Sequence, residues 1–153
     1  MNLKSVRNSK SDSQGTILNI ENLDLAWIRE RLIKSGRDII LVEEAEQEYR
    51  RFLMLVAAFP GAKIVPTVKA DIFWHEHILN TRRYFADSDL IFGFYLHHSP
   101  VSSKNEFEKH NLAVRKTRLL YRLYFGQGLH TSTASCSNVD DGSCWAGCKE
   151  ERQ

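Results

Sequence analysis

The sequence predicts an all-α domain, a small helical bundle of about four main helices. Three observations predict it. Apolar residues recur at helical spacing over four separate stretches, cap and breaker residues separate those stretches, and little of the chain reads as strand. Of the 153 residues 42% are hydrophobic, enough for a core that needs neither disulfide nor metal staple. The expected organisation is a flexible, disordered N-terminal arm over 1–21, a helical domain over 22–128, and a flexible cysteine-bearing tail over 129–153.

The arm is rich in Ser, Asn and Lys and has no sustained period. Asn22 then offers an N-cap and Asp24 a first-turn acid. Leu23, Ala26, Trp27, Glu30, Leu32 and Ile33 follow at helical spacing up to Gly36. Asp38 to Val42 is a short apolar run that can join the next element. A strong helix is expected over 43–59. It opens on Glu43, Glu44 and Glu46, carries Arg50 and Arg51, and turns Phe52, Leu55, Val56 and Phe59 to one side. Pro60-Gly61 stops it. Ile64 to Thr67 is extended and leads into helix-period residues over 68–86. Asp87-Ser88-Asp89 is expected to break that helix. Leu90 to Leu96 is apolar and aromatic, split by Gly93, and His97-His98-Ser99-Pro100 reads as a loop. Ser103-Lys104-Asn105-Glu106 fits a capping box, so a last helix is expected to run to about Phe125, with Gly126 and Gly128 ending it. There is no internal repeat.

Charge is nearly balanced, 21 basic against 19 acidic residues. A dedicated nucleic-acid binder usually carries a strong basic excess, so composition argues against that partner. The first fifteen residues lack the apolar segment of a secretory signal. The longest strongly apolar stretch, Phe52 to Ala62, falls far short of the ~20 residues that span a bilayer. The expectation is a cytoplasmic protein without a membrane partner, a protein partner remaining open. No P-loop, G-x-G-x-x-G, G-x-S-x-G or H-E-x-x-H pattern is present, and no cysteine lies in a segment expected to fold.

Four of the six histidines fall at 75, 77, 97 and 98, and neutral imidazole is the commonest protein metal ligand. At ~100° per residue, His75 and His77 lie ~200° apart on a helix and cannot share an ion there. On one continuous wheel Ala70, Phe73, Trp74, Ile78, Thr81, Tyr84 and Phe85 form an apolar face with His77 near its middle. His77 is therefore expected inside, with Thr81 or His110 as a partner for its ring. His110 itself falls on the apolar face of the last helix with Phe107, Val114, Thr117 and Tyr121. His75 is expected at an edge, with Asp71 at i−4. Two readings follow for the inner set. His77, His110 and either His97 or His98 form a polar cluster that holds an ion or small ligand, or they are hydrogen-bonded core histidines that fix helix register. For Asp71 and His75 the readings are an oriented ligand or general base, or a surface pair worth a few tenths of a kcal/mol.

Cys136, Cys144 and Cys148, completed by His130, could bind a soft ion as a Cys3His set, although the spacing lacks a C-x2-C knuckle. Alternatively they form a mobile thiol tail that oxidises or pairs between chains. The last helix carries Lys104, Lys109, Arg115, Lys116, Arg118 and Arg122 against Glu106 and Glu108. Such a row is a solvated face or, with Tyr121 and Tyr124, a surface for RNA or an acidic partner.

Taken together, Tyr49-Arg50-Arg51-Phe52-Leu53, Phe59-Pro60-Gly61, Ile64-Val65-Pro66-Thr67, the stretch from Asp71 to Tyr84, Phe92 to Pro100 and Leu120 to Gly126 resemble the glycine-rich domain-containing protein-like (GRDP-like) family. Its mark is a D-x-x-W-H-x-H-(I/L)-L-x-T-x-x-Y core, joined by G-x-x-L-H-H-x-P and Y-x-x-x-F-G. The resemblance covers about residues 45–126. The motif positions it carries over are Asp71, Trp74, His75, His77, Thr81, Tyr84, His97, His98 and Pro100. It implies a domain type and no defined activity. Some plant members carry a Gly-rich tail, whereas here the tail has Gly only at 128, 142 and 147.

Three functional expectations result. The first is a non-enzymatic binding protein that holds Zn, Cu or Fe, or a small ligand, through Asp71, His75, His77, His97, His98 and His110. The second is an interaction or scaffold domain whose histidines are structural. The third is a metal-dependent enzyme, which requires His75, His97 or His98 beside Asp71 and open to solvent.

Overall fold

Asp38 starts the helix against which most of the others pack. In the computed structural model, which describes residues 9–99 and 104–126, its carboxylate accepts from the backbone N–H groups of Ile40 and Leu41. This N-cap sets the start of a helix that then runs from Ile39 to Ala58. Along it Val42, Ala45, Tyr49, Phe52, Leu53 and Leu55 are buried, the spacing of one helical face. The described elements are α1 (Ser9–Glu21), α2 (Ala26–Lys34), α3 (Ile39–Ala58), α4 (Val68–Leu79), α5 (Thr81–Phe92) and α6 (Lys104–Phe125). The class is all-α, with no strand among the described residues. Helix α3 packs against α1, α2, α4 and α6. None of the described helices is long and apolar enough to cross a membrane.

The expected arm over 1–21 is corrected from residue 9 onward, because Ser9–Glu21 is helical and Ile20 is fully buried. Its sequence shows little apolar periodicity, so its anchoring is tertiary. The Arg50 guanidinium donates to the carbonyls of Ile20, Glu21 and Leu23 while Glu46 holds it at 2.8 Å. The orphan carbonyls at the end of α1 thereby gain a cationic donor. Asn22, expected to cap α2, instead donates from its side chain to Leu18 O at 2.9 Å. The N-cap position of α2 falls on Leu25, which makes no side-chain cap bond, and Asp24 before it accepts from Ala26 N–H.

The single helix expected over 68–86 is two helices. Thr67 caps α4 by accepting from Ala70 N–H at 3.1 Å. Asn80 then leaves helical geometry (φ −92°, ψ 74°), closes α4, and caps α5 by accepting from Arg83 N–H. The chain turns there, so Thr81 and Phe85, apolar-face residues on a continuous wheel, are exposed. Asp87-Ser88-Asp89, expected as a break, lies inside α5. Ser88 is buried. Gly93, at φ +72°, ends α5 in the left-handed conformation that glycine adopts without strain. The strong helix expected over 43–59 begins four residues earlier, since the Asp38 cap brings the 39–42 run into α3.

Helix α6 rests on α3 and on the loop before α4. Arg51 donates to Tyr121 Oη at 2.8 Å, and Val65 N–H donates to Thr117 Oγ1 at 3.0 Å. The capping serine at 103, Pro100 and the tail with His130, Cys136, Cys144 and Cys148 lie outside the described residues.

Candidate metal centre

Asp71 and His75 stand one turn apart on α4, so their side chains project to the same side of the helix. The segment after Gly93 returns across α4 and brings His98 to them. Tyr84 Oη fixes that segment by donating to Leu96 O while it accepts from Trp74 Nε1 at 2.8 Å. The His98 ring then lies against Trp74, centroids 4.6 Å apart. The sequence reading had no way to place His98, because a loop residue has no period.

Three side chains converge as a result. His98 Nε2 is 2.9 Å from Asp71 Oδ1 and 3.0 Å from His75 Nε2, and His75 Nε2 is 3.7 Å from Asp71 Oδ2. Two imidazole nitrogens and a carboxylate at these separations form a possible cation site. A tetrahedral zinc ion with ligands at ~2.0–2.1 Å holds its donors about 3.3 Å apart, and the three observed separations bracket that value. The His98–His75 contact has chemical content. If the His98 Nε2 proton goes to Asp71, the two facing ring nitrogens have no second proton donor between them. A cation satisfies all three donors at once. Side-chain exposure rises from 22% at His98 through 30% at Asp71 to 51% at His75, so one side of the cluster faces solvent and leaves coordination positions free.

His77 belongs to a separate network. It is 1% exposed. Its Nε2 lies 2.9 Å from Asp87 Oδ2 and its Nδ1 lies 2.9 Å from Tyr49 Oη. A carboxylate only accepts, so Nε2 carries the proton and Nδ1 accepts from the phenol. Burial lowers the His77 pKa despite the opposing Asp87 carboxylate, and the Arg83 charge adds to the lowering. Burial also drives the Tyr49 phenol well above its ordinary value and pushes Tyr84 up to about 12. The rings of Trp27, Tyr49 and Tyr84 close around the imidazole edge-on. The network is a core constellation that joins α3, α4 and α5, with both ring nitrogens of His77 paired and the indole N–H of Trp27 buried without a partner among the described residues.

The expected meeting of His77, His110 and a loop histidine is therefore corrected. The chain turn at Asn80 brings Asp87, not Thr81, to His77. His110 is half-buried on α6 near Lys63, whose charge assists burial in lowering its pKa, and it has no contact with His77 among the described residues. His97 is exposed and packs edge-on against Tyr95. Tyr49 and Asp87 were missed as partners. Neither has a sequence signal, because one lies on a different helix and the other lies beyond a helix break.

This fold and site define a small all-α domain that carries an Asp-His-His cluster beside a buried aromatic–histidine core. The chain belongs to the UCP032817-like family, whose sequence model matches residues 29–123. That match runs from within α2 to the last turn of α6 and overturns the assignment to the glycine-rich domain-containing protein-like family. Comparison with curated proteins and with solved structures gives no match.

Proposed function

We propose that this chain is a metal-binding protein that holds a divalent transition-metal ion, zinc foremost, through Asp71, His75 and His98. The observation that carries the reading is the convergence of both Nε2 atoms and one carboxylate at tetrahedral-donor spacing. Imidazole and carboxylate together suit Zn and Fe(II) better than Cu(I), which prefers sulfur ligands. The Asp-x3-His spacing supplies two ligands from one rigid helix, and the Trp74–Tyr84–Leu96 chain holds the third.

A second reading rests on the same site. Three protein ligands with a solvent-facing side are the arrangement of catalytic zinc sites, where the remaining position holds water. The exposed flank at His75 supports it.

The test is zinc binding by calorimetry on untagged full-length protein, with elemental analysis of the purified sample. One ion per chain is expected, lost in Asp71→Ala and in His98→Ala and retained in His110→Ala. Stoichiometric binding that survives both site substitutions would place the ion elsewhere and end this reading.

A further inference from the structure

We propose that the outward face of α6 docks onto an anionic lipid surface, independently of the metal site. Helix α6 uses one face against the body of the domain, with Ala113, Thr117 and Tyr121 buried on it. At ~100° per residue the opposite face carries Leu112, Leu119 and Leu123 in one narrow stripe. These leucines are 54%, 56% and 69% exposed. A leucine stripe on the far side of a helix from its own core has no function in packing that helix.

The flanks give the stripe its chemistry. Arg115, Arg118 and Arg122 run along one side of it, and Lys109 and Lys116 along the other; all but half-buried Arg118 are exposed. None of the five is ion-paired among the described residues. Glu108, at the N-terminal end of the stripe, is the one acid described on this helix from residue 107 onward. An aliphatic ridge with unpaired cations on both sides matches a bilayer surface. Leucines enter the acyl boundary, and long basic side chains reach phosphate groups on either side. RNA would be met by charge and aromatic stacking, and the centre of this face is aliphatic. A partner helix seated in a groove is a poorer fit, because the stripe is the convex crest of a single helix, whereas a plane meets a crest along its length. The contact is superficial and needs no spanning helix.

The test is co-sedimentation of the full chain with phosphatidylcholine vesicles prepared with and without phosphatidylglycerol. Binding is expected only where phosphatidylglycerol is present, weakening as salt is raised and unchanged by a chelator. Leu119→Gln/Leu123→Gln should cut the partition by about tenfold or more, with helicity and melting temperature unchanged. Arg115→Gln/Arg122→Gln should also cut it, because each cation near the surface contributes. Absence of binding to anionic vesicles overturns the proposal. So does binding that ignores the leucine substitutions, which would be charge attraction alone, and so does retention by single-stranded RNA without retention by vesicles.

Discussion

The Nε2 atoms of His75 and His98 lie 3.0 Å apart, with ring centroids at 4.5 Å. Twenty-two residues and an entire helix separate them in sequence. Metal that binds there bridges α4 to the segment after α5, so it should stabilise the native state. At a zinc concentration 100 times its Kd the gain is about 2.7 kcal/mol, or roughly 10 °C in Tm for a domain of this size. Differential scanning fluorimetry checks this. The shift should vanish in Asp71→Ala and persist in His110→Ala.

Tyr84→Phe should act on stability and on metal affinity together. It leaves the Trp74 indole N–H without its acceptor and Leu96 O without its donor. Each buried group so orphaned costs about 1–3 kcal/mol. The same change releases the segment that carries His98, so zinc affinity should drop although no ligand has been altered. Urea melts and calorimetry on one protein preparation measure both effects.

Tyr49→Phe should separate those effects. The substitution keeps the ring that packs against Phe52 and Phe73 and removes only the donor to His77 Nδ1. A loss of about 1–3 kcal/mol is expected from the unsatisfied ring nitrogen, seen as a lower urea midpoint at constant m. Zinc affinity should stay at the wild-type level.

Stability should decline as pH falls below about 6.5, the ordinary histidine value. In the unfolded chain His77 takes up a proton there. In the folded chain burial lowers its pKa, so it stays neutral. The unfolded state then binds more protons, and unfolding becomes easier as pH drops. His110, lowered by burial and by Lys63, adds in the same direction. The decline levels off once pH passes below the lowered folded values. Urea melts from pH 7.5 to 5 test this, and His77→Gln should show a shallower slope than wild type.

Helix class and most helix positions are legible in this sequence because they depend on local spacing. The burial of His77 and the outward position of His75 follow from the same arithmetic. The partners do not. His77 meets Asp87, and Trp74 meets Tyr84, each ten residues apart. On an unbroken helix ten residues span about 15 Å, so neither pair can form without the turn at Asn80. That turn is written in one residue, Asn80, too slight a signal against a period that continues on both sides. Helix α1 escaped for the opposite reason, since its order comes from Arg50 and from burial of Ile20 rather than from a pattern of its own. The Asp71–His75–His98 cluster was half legible. Asp71 and His75 share a face by spacing, while the position of His98 depends on how a loop returns.

Asn80 serves as the end of one helix and the beginning of the next, and this leaves α5 no rotational slack. An insertion or deletion of a single residue at this joint would swing the whole helix by about 100° about its axis. Asp87 and Tyr84 would be carried off their partners in the same stroke. Length at this joint is therefore fixed by two hydrogen bonds that cross it about one turn apart, and sequence drift that preserves the fold can change the joint's chemistry but not its count.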